Sequence, residues 1–182
     1  MWQEKKNRMA AKIDIIRSKI LSGKTLDRAL SYWRFRGCRI VFTNGCFDII
    51  HLGHAEYLAK AAEKADVLVV GLNTDRSVRA LKGSSRPLQD ERSRSFILAS
   101  FSFVSAVVLF DEETPLRLIS HVRPDILVKG SDYSPRHIVG HDIVRSWGGK
   151  VETIDLVEGY STSSILGSIA RQRDSEGGSP RS

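Results

Sequence analysis

The stretch FTNGCFDIIHLGH, Phe42–His54, decides how the fold is read. It opens as the end of an apolar run, RIVFT (39–43), turns through Asn44 and Gly45, and then sets His51 and His54 around Gly53. A helix is expected from Gly53 to Lys64, so the segment hands a strand over to a helix through a polar turn. The same alternation continues outward. DVLVVGL (66–72) reads as a second strand, and a polar loop with Lys82 and Arg86 leads to a helix over 90–101. SAVVLF (105–110) is a third strand and PLRLISHV (115–122) a helix. DILVKG (125–130) is a fourth strand, HDIVRSW (141–147) a short helix and GKVETIDL (149–156) a fifth strand, before a last helix that starts near Thr162.

These strands are short, unbroken runs of Val, Ile and Leu, as expected of parallel strands buried on both faces. Five of them with helices between argue for an α/β chain with a Rossmann-like, doubly wound parallel sheet. Ahead of this pattern, Met9, Ile13, Ile16 and Ile20 recur at helical spacing, which predicts a helix over Met9–Leu21. A second helix is expected from an N-cap at Thr25, with Leu26, Leu30 and Trp33 on one face and Gly37 as the stop. SGKT (22–25) looks like a piece of a phosphate loop, but it lacks the earlier glycine and the preceding strand. The expected organisation is a helical extension over 1–36, a main domain over 37–171 and a disordered tail over 172–182, where RQRDSEGGSPRS offers no apolar residue to bury.

Composition narrows the function classes. The chain has 182 residues, 41% hydrophobic and 27% charged, which suits one folded domain. No apolar run is long enough to span a bilayer, and the first residues lack the pattern of a secretory signal. Cys38 and Cys46 make neither a disulfide framework nor a zinc spacing, so a cytoplasmic setting is expected. The net charge of +7 is scattered, without basic runs interleaved with aromatics. It therefore suits a protein that holds several phosphates better than one that binds nucleic acid.

In an open parallel sheet, ligands sit beyond the carboxyl ends of the strands. The residues that fall there are Thr43, Asn44, Gly45, Phe47 and Asp48 after the first strand, and Asn73 and Asp75 after the second. Lys129, Gly130, Asp132 and Tyr133 follow the fourth, and Ser161, Thr162 and Ser163 come after the fifth. No G-x-G-x-x-G turn is present. Instead Gly53 allows close approach of the backbone, and His54 lies in the first turn of a helix whose N–H groups attract anions. Two imidazoles there can donate to phosphate oxygens as charge builds up during phosphoryl or nucleotidyl transfer. A structural role for the histidines is the plain alternative. A zinc site would need further ligands, and His121, His137 and His141 lie in later segments. Lys82, Arg86 and Arg92 occupy the long connection after the second strand, where they can fold over a triphosphate. Cys46 reads as a small filler, with no base beside it in sequence.

Five motifs, TNGCFDIIHLGH (43–54), LNTDRSV (72–78), LKGSSRP (81–87), VKGSDY (128–133) and EGYSTSSI (158–165), together resemble the cytidylyltransferase-like nucleotidyltransferases. The likeness covers about residues 37–170. Within the family it is greatest to the heptose 1-phosphate adenylyltransferases, which occur as one half of bifunctional heptose kinase/adenylyltransferases. The resemblance implies transfer of AMP from ATP to D-glycero-β-D-manno-heptose 1-phosphate, assisted by Mg²⁺, with no metal held by the protein itself. It assigns His51, His54 and Lys82 to catalysis. Phosphate and nucleotide contacts would come from the Phe47 backbone, from Arg92, from Ser161, Thr162 and Ser163, and from Lys129, Asp132 and Tyr133. It further implies a homodimer and a separate heptose 7-phosphate kinase, with neither nucleic acid nor membrane as partner. The chain departs from the family's usual pattern at Ser105, where many relatives carry Asp, and at Ser163, where Thr is usual. The alternatives are a cytidylyltransferase for glycerol 3-phosphate or another alcohol phosphate, a nucleotide-binding regulator without turnover, and a basic nucleic-acid-binding protein.

Overall fold

The computed structural model describes residues 11–132, 134–157, 159–160 and 162–176; the side chains of residues 163, 169, 170 and 173–176 lie outside the description. All five expected strands form: β2 (Ile40–Gly45), β3 (Val67–Asn73), β4 (Ala106–Phe110), β5 (Ile126–Gly130) and β6 (Lys150–Ile154). A sixth strand, β1 (Ile20–Leu21), joins them, and the sheet is parallel with the order β1-β4-β3-β2-β5-β6.

Strand periodicity sorts the core onto two faces. Ile40, Phe42, Val67 and Val69 point to one face, where they meet Leu26 and Leu30 of α2 (Gly23–Phe35), Ile119 of α6 (Leu116–Val122) and Val144 of α7 (His141–Ser146). Val41, Leu68, Val70 and Leu72 point to the other. There they meet Leu58 and Ala61 of α3 (Leu52–Ala62) and Leu98 and Ala99 of α5 (Glu91–Ser100). Every residue of β3 is buried, which is why its sequence reads as an unbroken apolar run.

Four expectations need correction. The first helix, α1, covers only Lys12–Ser18. Ile20 and Leu21 leave it to pair with Val107 and Val108, and the Val107 N–H donates to the Lys19 carbonyl at 2.9 Å. An otherwise bare strand edge is thereby hydrogen-bonded, which outweighs the helical spacing of Ile20. The N-cap of α2 is Ser22 rather than Thr25. Thr25 instead sits in the first turn and accepts the Ser22 N–H through Oγ1 at 2.9 Å. With Leu26 and Leu30 in the core and β1 in the sheet, the described part of the extension, residues 11–36, packs against the main domain. The polar loop after β3 begins with a helix, α4 (Asp75–Lys82), capped by Thr74, whose Oγ1 accepts the Ser77 N–H at 3.2 Å. The last helix, α8, runs Thr162–Glu176, so residues 172–176 are helical rather than disordered; residues 177–182 lie outside the described residues. No described helix is long and apolar enough to cross a membrane.

The topology also dictates where a ligand fits. From β2 the chain winds through β3 to β4 on one side, and then returns to place β5 on the other side of β2. Strands β2 and β5 pair only at Val41–Ile126 and Phe42–Leu127, so beyond Phe42 they separate. A crevice opens at this switch point, where open α/β sheets bind ligands.

Candidate active site

The crevice is a cleft of about 610 Å³ at the carboxyl ends of the strands. Its floor is the exit of β2. Lys129 spans the gap between the diverging strands, donating from Nζ to the Asn44 carbonyl at 2.9 Å. Burial pushes the Lys129 ammonium down to about 8, opposed by the Asp132 carboxylate and Cys46. A half-buried cation at the switch point is well placed to meet a phosphate, because it is already partly desolvated.

Phe47 has a φ of +44°, in the left-handed region that side chains other than glycine seldom adopt. This turns the chain sharply after β2. The ring packs on His54 in an edge-to-face contact at 5.2 Å and closes over Gly45, where a Cβ would stand 3.1 Å from it. Strain of this kind collects at functional sites, where the surroundings enforce it.

His51 is the N-cap of α3 with extended backbone, and no side chain caps this terminus. The His51 carbonyl accepts the N–H of His54 at 2.9 Å and of Ala55 at 3.1 Å. The two imidazoles stack, with centroids 3.8 Å apart and planes at 21°. Burial lowers the pKa of His51, and it drives His54 down to about 4, helped by the neighbouring His51 and by Lys82, while the Ile49 backbone opposes the fall. Both rings are therefore neutral near pH 7. The Nδ1 of His51 and the Oδ1 of Asn44 are buried and have no hydrogen-bond partner among the described residues. Such groups are costly unless a ligand satisfies them. Gly53 is buried beneath this pair, and a Cβ there would stand 3.2 Å from the His51 ring and 3.3 Å from the Tyr160 Cβ.

Asn44, Gly45, Phe47, Asp48, His51, Gly53, His54, Asn73, Lys82, Lys129, Gly130, Asp132 and Thr162 all line the one cleft. Three expected residues do not. Thr43 is buried and shares a 2.7 Å hydrogen bond with the Tyr57 hydroxyl. Asp75 faces Arg94 at 2.6 Å, and Arg92 is exposed on the first turn of α5, away from the cleft. Tyr133 and Ser161 lie outside the described residues, as does the side chain of Ser163. Asp48 borders the cleft, but its carboxylate is taken: it accepts from Arg86 Nη1 at 2.7 Å, from the Leu88 N–H at 2.7 Å and from the Gln89 N–H at 3.1 Å. Burial raises its pKa and these three bonds more than reverse that, so the group is held below the usual carboxylate range. Asp48 thus fastens the connection between α4 and α5, at whose start Lys82 stands.

One residue that sequence reasoning missed is Arg94. It is completely buried and donates to the carbonyls of Gln89, Cys46 and Asn73 at 2.9, 2.6 and 2.9 Å, and to Asp75 at 2.6 Å. It ties the exits of β2 and β3 together behind the cleft. The available signal was its position four residues before Leu98, on the buried face of α5. Ser105, where the chain departs from the usual Asp, stands at the amino end of β4 and accepts the Leu68 N–H at 3.2 Å. It is at the opposite end of the sheet from the cleft. Burial pushes the Cys46 thiol up, against the pull of Lys82, Arg94 and Lys129, which suits a filler rather than a nucleophile.

Residues 42–172 match the cytidylyltransferase-like family. The chain is 56% identical over 149 residues to the Bifunctional protein HldE of Syntrophotalea carbinolica, an alignment covering 82% of this chain and 30% of that protein. It is 53% identical over 152 residues to the Bifunctional protein HldE of Methylobacillus flagellatus, covering 84% and 31%. The chain therefore spans about 30% of the length of the curated relatives it matches. Among solved structures, the lipopolysaccharide core biosynthesis protein from Thermoplasma volcanium GSS1 superposes with a TM-score of 0.53 at 26% identity, over 69% of this chain and 100% of that one.

Proposed function

Because this chain belongs to the cytidylyltransferase-like family, we propose that it is a nucleotidyltransferase that moves AMP from ATP to D-glycero-β-D-manno-heptose 1-phosphate, releasing pyrophosphate and ADP-heptose. The observation that carries the reading is the stacked, neutral His51–His54 pair at the uncapped N-terminus of α3, within a cleft that also holds Lys82 and Lys129. The relatives named Bifunctional protein HldE and the lipopolysaccharide core biosynthesis protein support the choice of product.

The chemistry asks little of the protein beyond placement and charge. An oxygen of the sugar phosphate attacks the α-phosphorus of ATP, the bond to the bridging oxygen breaks, and pyrophosphate leaves with that electron pair. A phosphate monoester with a second pKa near 6 is already ionised at neutral pH, so no general base is needed. His51 and His54 donate through their N–H groups to phosphate oxygens as charge develops. Neutral rings hold one proton each for this purpose and do not give it away. Lys82 and Lys129 neutralise the triphosphate from two sides, and the backbone of the strained Phe47 turn flanks it. Thr162, with Ser161 and Ser163, would bind nucleotide phosphate at the start of α8.

Mg²⁺ belongs to this reading as a companion of the nucleotide. No group of three metal-ligating side chains occurs among the described residues, and the Asp48 carboxylate is already engaged. Asp132 and Glu113 are the further carboxylates on the cleft wall. Such a donor set suits an ion that arrives on the phosphates and takes at most one or two protein ligands. Bound there, the ion would supply charge neutralisation. A separate heptose 7-phosphate kinase would install the phosphate at C1, and hydrolysis of the 7-phosphate from the resulting bisphosphate would then leave the sugar 1-phosphate. Action in the cytoplasm, and as a homodimer in which a second copy covers the exposed Tyr32 and Phe35 of α2, belongs to the same proposal.

Pyrophosphate release measured with ATP or CTP against heptose 1-phosphate and glycerol 3-phosphate tests the reading. Release is expected with ATP and the heptose phosphate; release confined to CTP and glycerol 3-phosphate would overturn it.

A further inference from the structure

The cleft has two arms on either side of the histidine pair, and they differ in character. One arm lies toward β5 and β6 and is lined by Gly130, Leu156, Val157 and Tyr160. Lys129 and Asp132 flank Gly130 on this side, and the aliphatic Leu156 and Val157 suit a flat base. The other lies beyond β3 and β4 and is lined by Asn73, Leu81, Lys82, Phe110, Glu113 and Pro115. Within it Glu113 stands apart. Glu113 is exposed, follows the end of β4, and makes no hydrogen bond or ion pair with any described residue. Its neighbour Glu112 differs, being paired with Arg117 at 3.6 Å.

A carboxylate on the wall of a phosphate-binding cleft repels phosphate, although solvent screens the exposed Glu113 in part. Besides a cation, such a carboxylate can face a neutral group that donates hydrogen bonds. Sugar hydroxyls meet that description, and one carboxylate can accept from two adjacent hydroxyls at once. Phe110 and Pro115 add an apolar wall of the kind that covers the C–H face of a sugar ring. Lys82, in the same arm, supplies the cation for the phosphate. We infer that Glu113 is the residue that selects the second substrate, by accepting hydrogen bonds from the hydroxyls of the sugar that lie farthest from its phosphate. This rests on the reading of the cleft as a sugar-phosphate adenylyltransferase site. The order within the arm follows from charge: phosphate at Lys82 and the histidines, ring against Phe110 and Pro115, terminal hydroxyls at the mouth with Glu113.

Steady-state kinetics of the full chain test the inference, comparing wild type, Glu113→Ala and Glu113→Gln with heptose 1-phosphate and with mannose 1-phosphate of the same anomer, which lacks one terminal CHOH unit. Loss of hydrogen bonds to a charged group is expected to raise KM for the heptose phosphate by about 10- to 100-fold in Glu113→Ala, with a smaller rise in Glu113→Gln. KM for ATP should stay within about twofold. The preference for heptose over mannose should shrink in Glu113→Ala, a coupling that a merely structural residue would not produce. An unchanged KM for the sugar phosphate, or a preference equal to that of wild type, would overturn the inference. So would an effect confined to ATP or to the Mg²⁺ requirement, since Glu113 would then serve the nucleotide. Failure of the wild type to turn over either sugar phosphate with ATP would bring down the reading of the cleft as well, and so is separable from failure of the Glu113 assignment alone.

Discussion

Replacement of Arg94 by Met would show how much the cleft depends on a group that does not line it. The guanidinium is completely buried and donates four hydrogen bonds, three to backbone carbonyls and one to Asp75. Methionine fills much of the volume but leaves Asp75 without its cation and three carbonyls without a donor. Breaking a buried ion pair by removing one partner costs about 3–5 kcal/mol. Each stranded carbonyl adds up to about 1–3 kcal/mol, less where water reaches it, as it does near the partly exposed Asp75. About 4 kcal/mol is a moderate expectation from these terms, against a total stability on the order of 5–15 kcal/mol. For a chain of this size that corresponds to a fall in Tm of about 8–16 °C. Urea unfolding followed by circular dichroism measures it, with the midpoint lowered and the slope unchanged. The double variant Asp75→Asn, Arg94→Met removes the stranded charge and should recover about 1–2 kcal/mol. An Arg94→Met protein within about 1 kcal/mol of wild type would refute the brace.

His54→Ala should reduce turnover by about 10²–10³-fold, as loss of one donor to a charged transition state does, while the urea midpoint changes little. The pH dependence of stability follows from the same ring. The free imidazole titrates near 6.5 but in the fold falls to about 4, so between those values the unfolded chain binds more protons. The contribution of this ring to stability should therefore decline as pH drops through that window and stay constant above it, and His54→Ala should remove that part of the slope. With Lys129 near 8, affinity for nucleotide should weaken as pH rises past that value, measured by titration calorimetry at several pH values. Asp48→Asn should loosen the Arg86–Gln89 segment, seen as faster proteolysis there and a raised KM for ATP.

Much of the fold could be read from sequence because its strands bury both faces. β3 is apolar from Val67 to Leu72, and no surface demand interrupts the signal. Strand β1 was hidden for the opposite reason. Two residues carry no periodicity, and Ile20 and Leu21 become a strand only because the edge of β4 is there to receive them. Helix α4 was hidden because DRSVRALK contributes only Ser77 and Val78 to the interior. In the cleft, the histidine pair and the lysines were legible as residue types placed at strand ends. Arg94 and Arg92 could not be told apart by type, since only the facing of α5 sends one inward and leaves the other in solvent. Nor does sequence reveal that Asp48 and Asp75 spend their charge inside the protein, because the partners Arg86 and Arg94 lie 38 and 19 residues away.

The two-residue strand at Ile20–Leu21 carries a consequence for the life of the molecule in a crowded solution. An uncovered β4 would offer a row of free amides and carbonyls to any passing chain. Because β1 takes the Val107 and Val108 positions and is itself too short to act as a template, growth of the sheet by addition of foreign strands stops there. A protein lacking residues 1–22 should retain the cleft yet clump on warming, and light scattering against temperature would reveal the loss of that guard.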